Sequence, residues 1–263
     1  MVTRSCVLVI LSSLLLFTAC NQNTRPMPAN PGNSPKAQKL TTVDPATAGS
    51  IHGVIHFTGT APAPVQIDMG MDPGCTISNT QPNFSQQYVV KHGALANVYI
   101  YVKQGLEGKD FAVPSTPVVL DQKGCRYEPH VIALMAGQTL QVLNSDPTMH
   151  NVHAQPNAPS NPQWNMSQMP KGAPIEKTFH DPEVMMPFKC NQHPWMKAYV
   201  NVAANPFYAV SDADGKFEIK GLPPGDYTIA AVHEAAGEQT QQVTVGAKES
   251  KTVEFSFATQ GER

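Results

Sequence analysis

Short runs of β-branched and aromatic residues, each bounded by Gly, Pro, Asn or Asp, recur along this chain, and they restrict its fold more than any other feature. They are IHGVIHF (51–57), ANVYIYV (96–102), HVIAL (130–134), TLQVL (139–143), AYVNV (198–202), KFEIK (216–220), DYTIAAV (226–232), QQVTV (241–245) and TVEFSF (252–257). Strict alternation, as in Val253, Phe255 and Phe257, turns one face of a strand to a core and the other to water. No long window carries apolar residues at the helical period. Proline makes the same point: 24 of 263 residues are Pro, about twice the usual ~5%, and helix interiors tolerate it badly. The chain therefore reads as all-β, built from sandwiches. Its net charge of −2 and pI near 6.5 leave no basic surface for nucleic acid.

The N-terminus stands apart. Arg4 precedes VLVILSSLLLF (7–17), an apolar run too short for a bilayer span of roughly 20 residues and suited to the core of a signal peptide. It ends in Phe17-Thr18-Ala19-Cys20, which resembles a bacterial lipobox with Phe where Leu is usual. That resemblance implies removal of residues 1–19 and a lipid on Cys20; plain secretion is the alternative. Residues 20–49 hold several prolines and no aromatic residue or apolar run, so they read as a disordered tether averaging roughly 30 Å end to end. The expectation is an exported lipoprotein, periplasmic or at the cell surface, anchored by its N-terminal lipid.

Export sets the cysteine arithmetic. Beyond Cys6 in the leader and Cys20 at the anchor, three cysteines remain. Cys75 and Cys125 both lie in Gly-flanked turns (DPGC and QKGC) where a disulfide would staple loops. That leaves Cys190 as the spare thiol, in KCNQHPWMKAYVNV (189–202). There Cys190, His193 and Met196 stand three residues apart, just before a strand. A thiolate, two imidazoles and a weak axial thioether are the donor set that copper takes in electron-transfer sites. Three of the four are in this loop, and NSDPTMHNVHAQ (144–155) offers His150 or His153 as the missing imidazole. In an extended segment these two point to opposite faces. Zinc fits less well, because Met is a poor zinc ligand.

With these residues in view, TLQVLNSDPTMHNVHAQ and CNQHPWM resemble the ligand segments of the cupredoxins, in their plastocyanin/amicyanin branch. The resemblance spans roughly residues 130–203. It implies a Greek-key β-sandwich holding one type 1 copper on His150, Cys190, His193 and Met196. It also implies Asn151 as the neighbour that braces the Cys loop. Pro194 and Trp195 read as an apolar rim for docking. His153 is then structural or rim-exposed and His130 a satisfied polar group, while Met166, Met169 and nearby methionines are gap-fillers more than a second copper site.

The C-terminal SDADGKFEIKGLPPGDYTIAAVHE (211–234) resembles the carboxypeptidase regulatory-like (transthyretin-like) β-sandwich, with Ser211 where Thr is usual. Asp212 and Asp214 are turn residues there, with no Glu to close a calcium loop. The resulting division is leader 1–19, lipidated Cys20 and tether 20–49, copper domain 50–204, small β-sandwich unit 205–258, and tail 259–263. IHGVIHF and ANVYIYV are candidates to join the small sandwich, with the copper region inserted into it. No two histidines have the His-x-His spacing of multicopper oxidases, and no Ser-His-Asp, P-loop or HExxH pattern stands out. The expected function is one-electron transfer between redox protein partners, not catalysis. A copper carrier or loading protein and a non-redox surface binding module are the alternatives.

Overall fold

A computed structural model describes residues 39–259. The leader, Cys20, the tether to residue 38 and residues 260–263 lie outside the described residues. Among the described residues no helix is long and apolar enough to cross a membrane. The fold is all-β and closes on two apolar cores.

Strand Gly49–Phe57 is the spine of the first core. Its inward Ile51, Ile55 and Phe57 are buried, as the two-residue period requires. It runs antiparallel to Lys216–Leu222 along one edge and parallel to Ser250–Thr252 and Phe255–Phe257 along the other. Gly53 makes this crowding possible: a Cβ there would stand 1.7 Å from the Val253 carbonyl oxygen. The facing sheet orders Tyr208–Val210, Tyr99–Gln104, Gly225–His233 and Gly237–Val245, and sends Ile100, Val102, Ile229 and Val243 into the same core.

Strands from 49–104 and from 208–257 thus share one sandwich, with residues 118–203 inserted between them. The physical reason is edge satisfaction: without Gly49–Phe57 and Tyr99–Gln104, the C-terminal strands would expose unpaired backbone. Residues 39–48, assigned by composition to the tether, lie against this sandwich. Thr41 N–H donates to the Asp110 carbonyl at 2.5 Å and Val43 packs on the core.

Residues 118–203 make the second core. One sheet orders Trp164–Gln168, His150–Ala154, Glu183–Lys189, Lys197–Ala203 and Val131–Met135; the other orders Ile175–Thr178, Thr139–Asn144, Val118–Gln122 and Tyr127–Glu128. Two neighbouring pairs are parallel. Parallel strands cannot be joined by a hairpin, so the chain crosses between sheets in Greek-key fashion. Leu120, Leu140, Val142, Val152, Phe188 and Val200 fill the space between. The stretch 154–174 contains Trp164–Gln168, paired antiparallel with His150–Ala154.

Residues 58–89 leave the first sandwich and lie partly on the second. Their one helix is Pro73–Ser78, opened by Asp72 as N-cap with Pro at the first position, a favoured pairing. Asp72 Oδ1 accepts from Gly74 N–H (2.7 Å) and Cys75 N–H (3.2 Å). A disulfide joins Cys75 to Cys125, and Met69 and Cys75 are buried in the second core.

Candidate metal centre

Two segments bring the predicted donors together at one end of the second core. The first is the turn 144–149. The Asn144 side-chain amide donates to the carbonyls of Thr148, Gln168 and Met169 at 3.0–3.1 Å, and its Oδ1 accepts from Asp146 N–H at 3.0 Å. The turn delivers His150 as the first residue of its strand, fully buried. Strand alternation then carries His153 to the outer face, where its ring bonds to Asn191 Oδ1 (3.2 Å) and Gln163 Nε2 (2.7 Å). His153 therefore stands away from the cluster.

The second segment is the loop 190–196. Cys190 N–H donates to the Met196 carbonyl at 3.2 Å and Met196 N–H to the His193 carbonyl at 2.8 Å. These two bonds curl the loop so that its side chains face the His150 segment. Asn151 binds the two segments: its N–H donates to Cys190 Sγ at 3.4 Å, and its Oδ1 accepts from Asn191 N–H. The Tyr127 hydroxyl donates toward the carbonyls of Asn151 (2.9 Å) and Lys189 (3.2 Å), beneath both.

The result is a compact donor set. His150 Nδ1 stands 2.9 Å from His193 Nδ1, and Cys190 Sγ 3.5 Å from His193 Nδ1. The three ligand atoms lie within 4.8 Å of one another, and all three residues are buried. Met196, 1% exposed, is buried in the same cluster as Cys190. Burial pushes the Cys190 thiol up. The hydrogen bond from His150 and those from the backbone of Asn151, His193 and Gln192 outweigh it and bring the thiol down to about 6. Burial pushes the His150 imidazole down, and Asp146 and Cys190 outweigh it, raising the group to about 9. A thiolate is thus stable here without a second thiol, which is what a one-cysteine copper site requires.

Sequence reasoning missed what lies behind the histidines. His150 Nε2 meets Asp146 Oδ2 at 2.8 Å, and His193 Nε2 meets Asp72 Oδ2 at 2.9 Å. His193 is consequently only 2% exposed, so the outer edge of its imidazole is covered. The apolar rim expected around it is reduced: Pro194 is exposed, but Trp195 is half-buried, its indole N–H donating to the Cys125 carbonyl at 3.0 Å. His130 is buried between Glu234 Oε1 (2.5 Å) and the Lys197 carbonyl (3.1 Å). Met186 is in the core, while Met166 and Met169 are largely exposed. Asp212 is a turn residue, its Oδ1 accepting from the N–H groups of Asp214 and Lys216.

The described residues thus form two β-sandwiches, and the second carries this donor set at one end. The profile of the carboxypeptidase regulatory-like domain matches residues 191–258. Among solved structures, the chain is similar to a point mutant of amicyanin in its reduced Cu(I) form (21% identity, 41% of this chain and 99% of that one, TM-score 0.31). It is similar to the purple cupredoxin of Nitrosopumilus maritimus (23% identity, 30% and 82%, TM-score 0.25). It is also similar to the copper-containing nitrite reductase of Thermus scotoductus SA-01 (20% identity, 38% of this chain, TM-score 0.31), of which it spans 25%. No curated protein sequence matches the chain.

Proposed function

We propose that this chain is an exported, membrane-tethered type 1 copper protein that carries single electrons between redox protein partners. The observation that supports it is the convergence of His150 Nδ1, His193 Nδ1 and Cys190 Sγ within 4.8 Å in a buried pocket, with Met196 buried on the same loop. Two imidazoles, one thiolate and a thioether suit both copper oxidation states, and copper there supplies a one-electron couple. The chain's own residues supply rigidity. The bonds from Asn151, Asn144 and Tyr127 hold both ligand segments from the backbone. Little rearrangement then accompanies a change of charge. Burial of every donor also favours a resident ion over a readily exchanged one, which is why electron carriage is preferred to copper delivery. The leader, lipid and tether are the reading of residues 1–38 from sequence alone, and by that reading the carrier works at a membrane surface.

The test is a visible and EPR titration of the mature chain without its anchor cysteine (residues 21–263) with one equivalent of Cu(II). An intense thiolate-to-copper band with narrow copper hyperfine splitting, both lost in Cys190→Ser, is the expected result. A colourless protein with only tetragonal Cu(II) signals would refute the assignment.

A further inference from the structure

The copper reading leaves the covering of both histidines unexplained. Each imidazole turns Nδ1 toward the other and toward Cys190, and Nε2 toward a carboxylate. Neither carboxylate is free to move. Asp146 accepts from Gly124 N–H (2.6 Å) and Cys125 N–H (2.8 Å) as well as from His150. Asp72 accepts from Gly74 and Cys75 N–H through one oxygen. Its other oxygen meets both the Thr148 hydroxyl (3.0 Å) and His193. These two sets of contacts are joined covalently. Cys75 is three residues after Asp72, Cys125 donates to Asp146, and Cys75 and Cys125 form the disulfide. The carbonyl of Cys125 also receives the Trp195 indole from the ligand loop.

We infer that Asp72 and Asp146 are positioning residues for the two copper histidines, and that the Cys75–Cys125 disulfide is the brace that holds both in place. The inference rests on the copper reading above. A carboxylate on the outer nitrogen fixes which ring nitrogen is free for metal, orients the ring and makes the imidazole a stronger donor. Stronger donation favours Cu(II) over Cu(I), opposing the axial thioether, so the pair sets the potential lower than the four ligands alone would. Asp72 comes from residues 58–89, outside the second sandwich, which makes that excursion part of the metal centre.

The deciding comparison is Asp72→Asn against Asp68→Asn in the copper-loaded mature chain. Asp68 lies four residues away on the same segment and accepts from Gly70 N–H at 2.9 Å, so its loss removes an equal charge without touching a histidine. Asn keeps the N-cap, so Asp72→Asn retains the helix. Competition with a chelator should show Cu(II) bound about 10- to 100-fold more weakly in Asp72→Asn, with Cu(I) binding little changed. By the one-electron constant of 59 mV per decade this raises the potential by about 60 to 120 mV. Asp68→Asn should leave it in place. The double variant Cys75→Ser/Cys125→Ser, which alters no charge, should move the potential in the direction of Asp72→Asn. Equal shifts in the two Asp variants would show only a distant charge effect and overturn the positioning role. A normal blue band with an unmoved potential in Asp72→Asn would overturn this inference alone. A wild-type protein with no such band would overturn the copper reading and the inference with it.

Discussion

At neutral pH the copper-free protein should hold Cys190 as a thiolate beside a protonated His150. The Cys190 thiol is brought from an ordinary 9.0 down to about 6, so at pH 7.5 about 97% of it is ionised, against about 3% for an ordinary thiol of that value. The difference is worth about 4 kcal/mol, at 1.36 kcal/mol per tenfold. Burial opposes ionisation, and the hydrogen bond from His150 is the largest influence in its favour. His150→Gln should therefore return the thiol toward or above its ordinary range, and the thiolate fraction at pH 7.5 should fall about tenfold or more. The assay is ultraviolet thiolate absorbance against pH in the mature chain, where Cys75 and Cys125 are paired and Cys190 is the free thiol. Cys190→Ser serves as the blank. Tyrosine ionisation does not intrude, since burial pushes Tyr101 up to about 12 and Tyr99 well above its usual range. A wild-type midpoint near 9, or a midpoint that His150→Gln leaves unmoved, would refute the reasoning. The sign for metal loading follows. Copper needs the thiolate and a neutral imidazole, and His150 holds its proton up to about 9. Apparent affinity should therefore fall about tenfold per pH unit from 9 down to 6 and about a hundredfold per unit below 6.

His233 is buried and its Nδ1 accepts from Ala235 and Ala236 N–H; burial pushes the imidazole down to about 4. The unfolded chain takes up the proton first, so stability from this group is intact above pH 6.5 and is lost as pH falls to about 4. The total is about 3 kcal/mol, and urea midpoints at pH 7 and 4.5 should differ less in His233→Gln than in the wild type. Gly53→Ala places a methyl 1.7 Å from the Val253 carbonyl oxygen, so the central strand must shift. A loss of about 3 kcal/mol or more in denaturant unfolding is expected, and a neutral substitution would mean that the Val253 approach is not native. Reducing the Cys75–Cys125 bond, which spans 50 residues, should lower stability by about 4 kcal/mol. An unchanged melting temperature under reductant, with free thiols counted, would contradict that.

The donors were legible because their information is local. Cys190, His193 and Met196 lie within one loop; strand alternation separates His150 from His153, with His153 on the outer face, and the choice of His150 came from the resemblance. Strand existence was legible for the same reason, in runs such as Gly49–Phe57, whose burial alternates. His150–Ala154 and Glu183–Lys189 were harder to read. Their sequences, HNVHA and EVMMPFK, mix polar and apolar residues, one strand opening on the buried His150 and the other having a register shift. The placing of Gly49–Phe57 in the same sandwich as residues 208–257 depends on pairings some 160 to 200 residues apart; its sequence made it a candidate for that sandwich without giving the pairing. The carboxylates behind the histidines show both limits. Asp72-Pro73-Gly74-Cys75 carries a helix-start signal, an N-cap followed by Pro, that could have been read. That this particular Asp reaches His193 from 121 positions away could not. It becomes explicable only once the disulfide has set the helix against the ligand loop. The candidate donors follow a motif, whereas the carboxylates behind them are placed by tertiary geometry. In this chain the second group controls how exposed His193 is. The Asp72 segment covers the His193 edge, and Pro194 is the exposed side chain beside it.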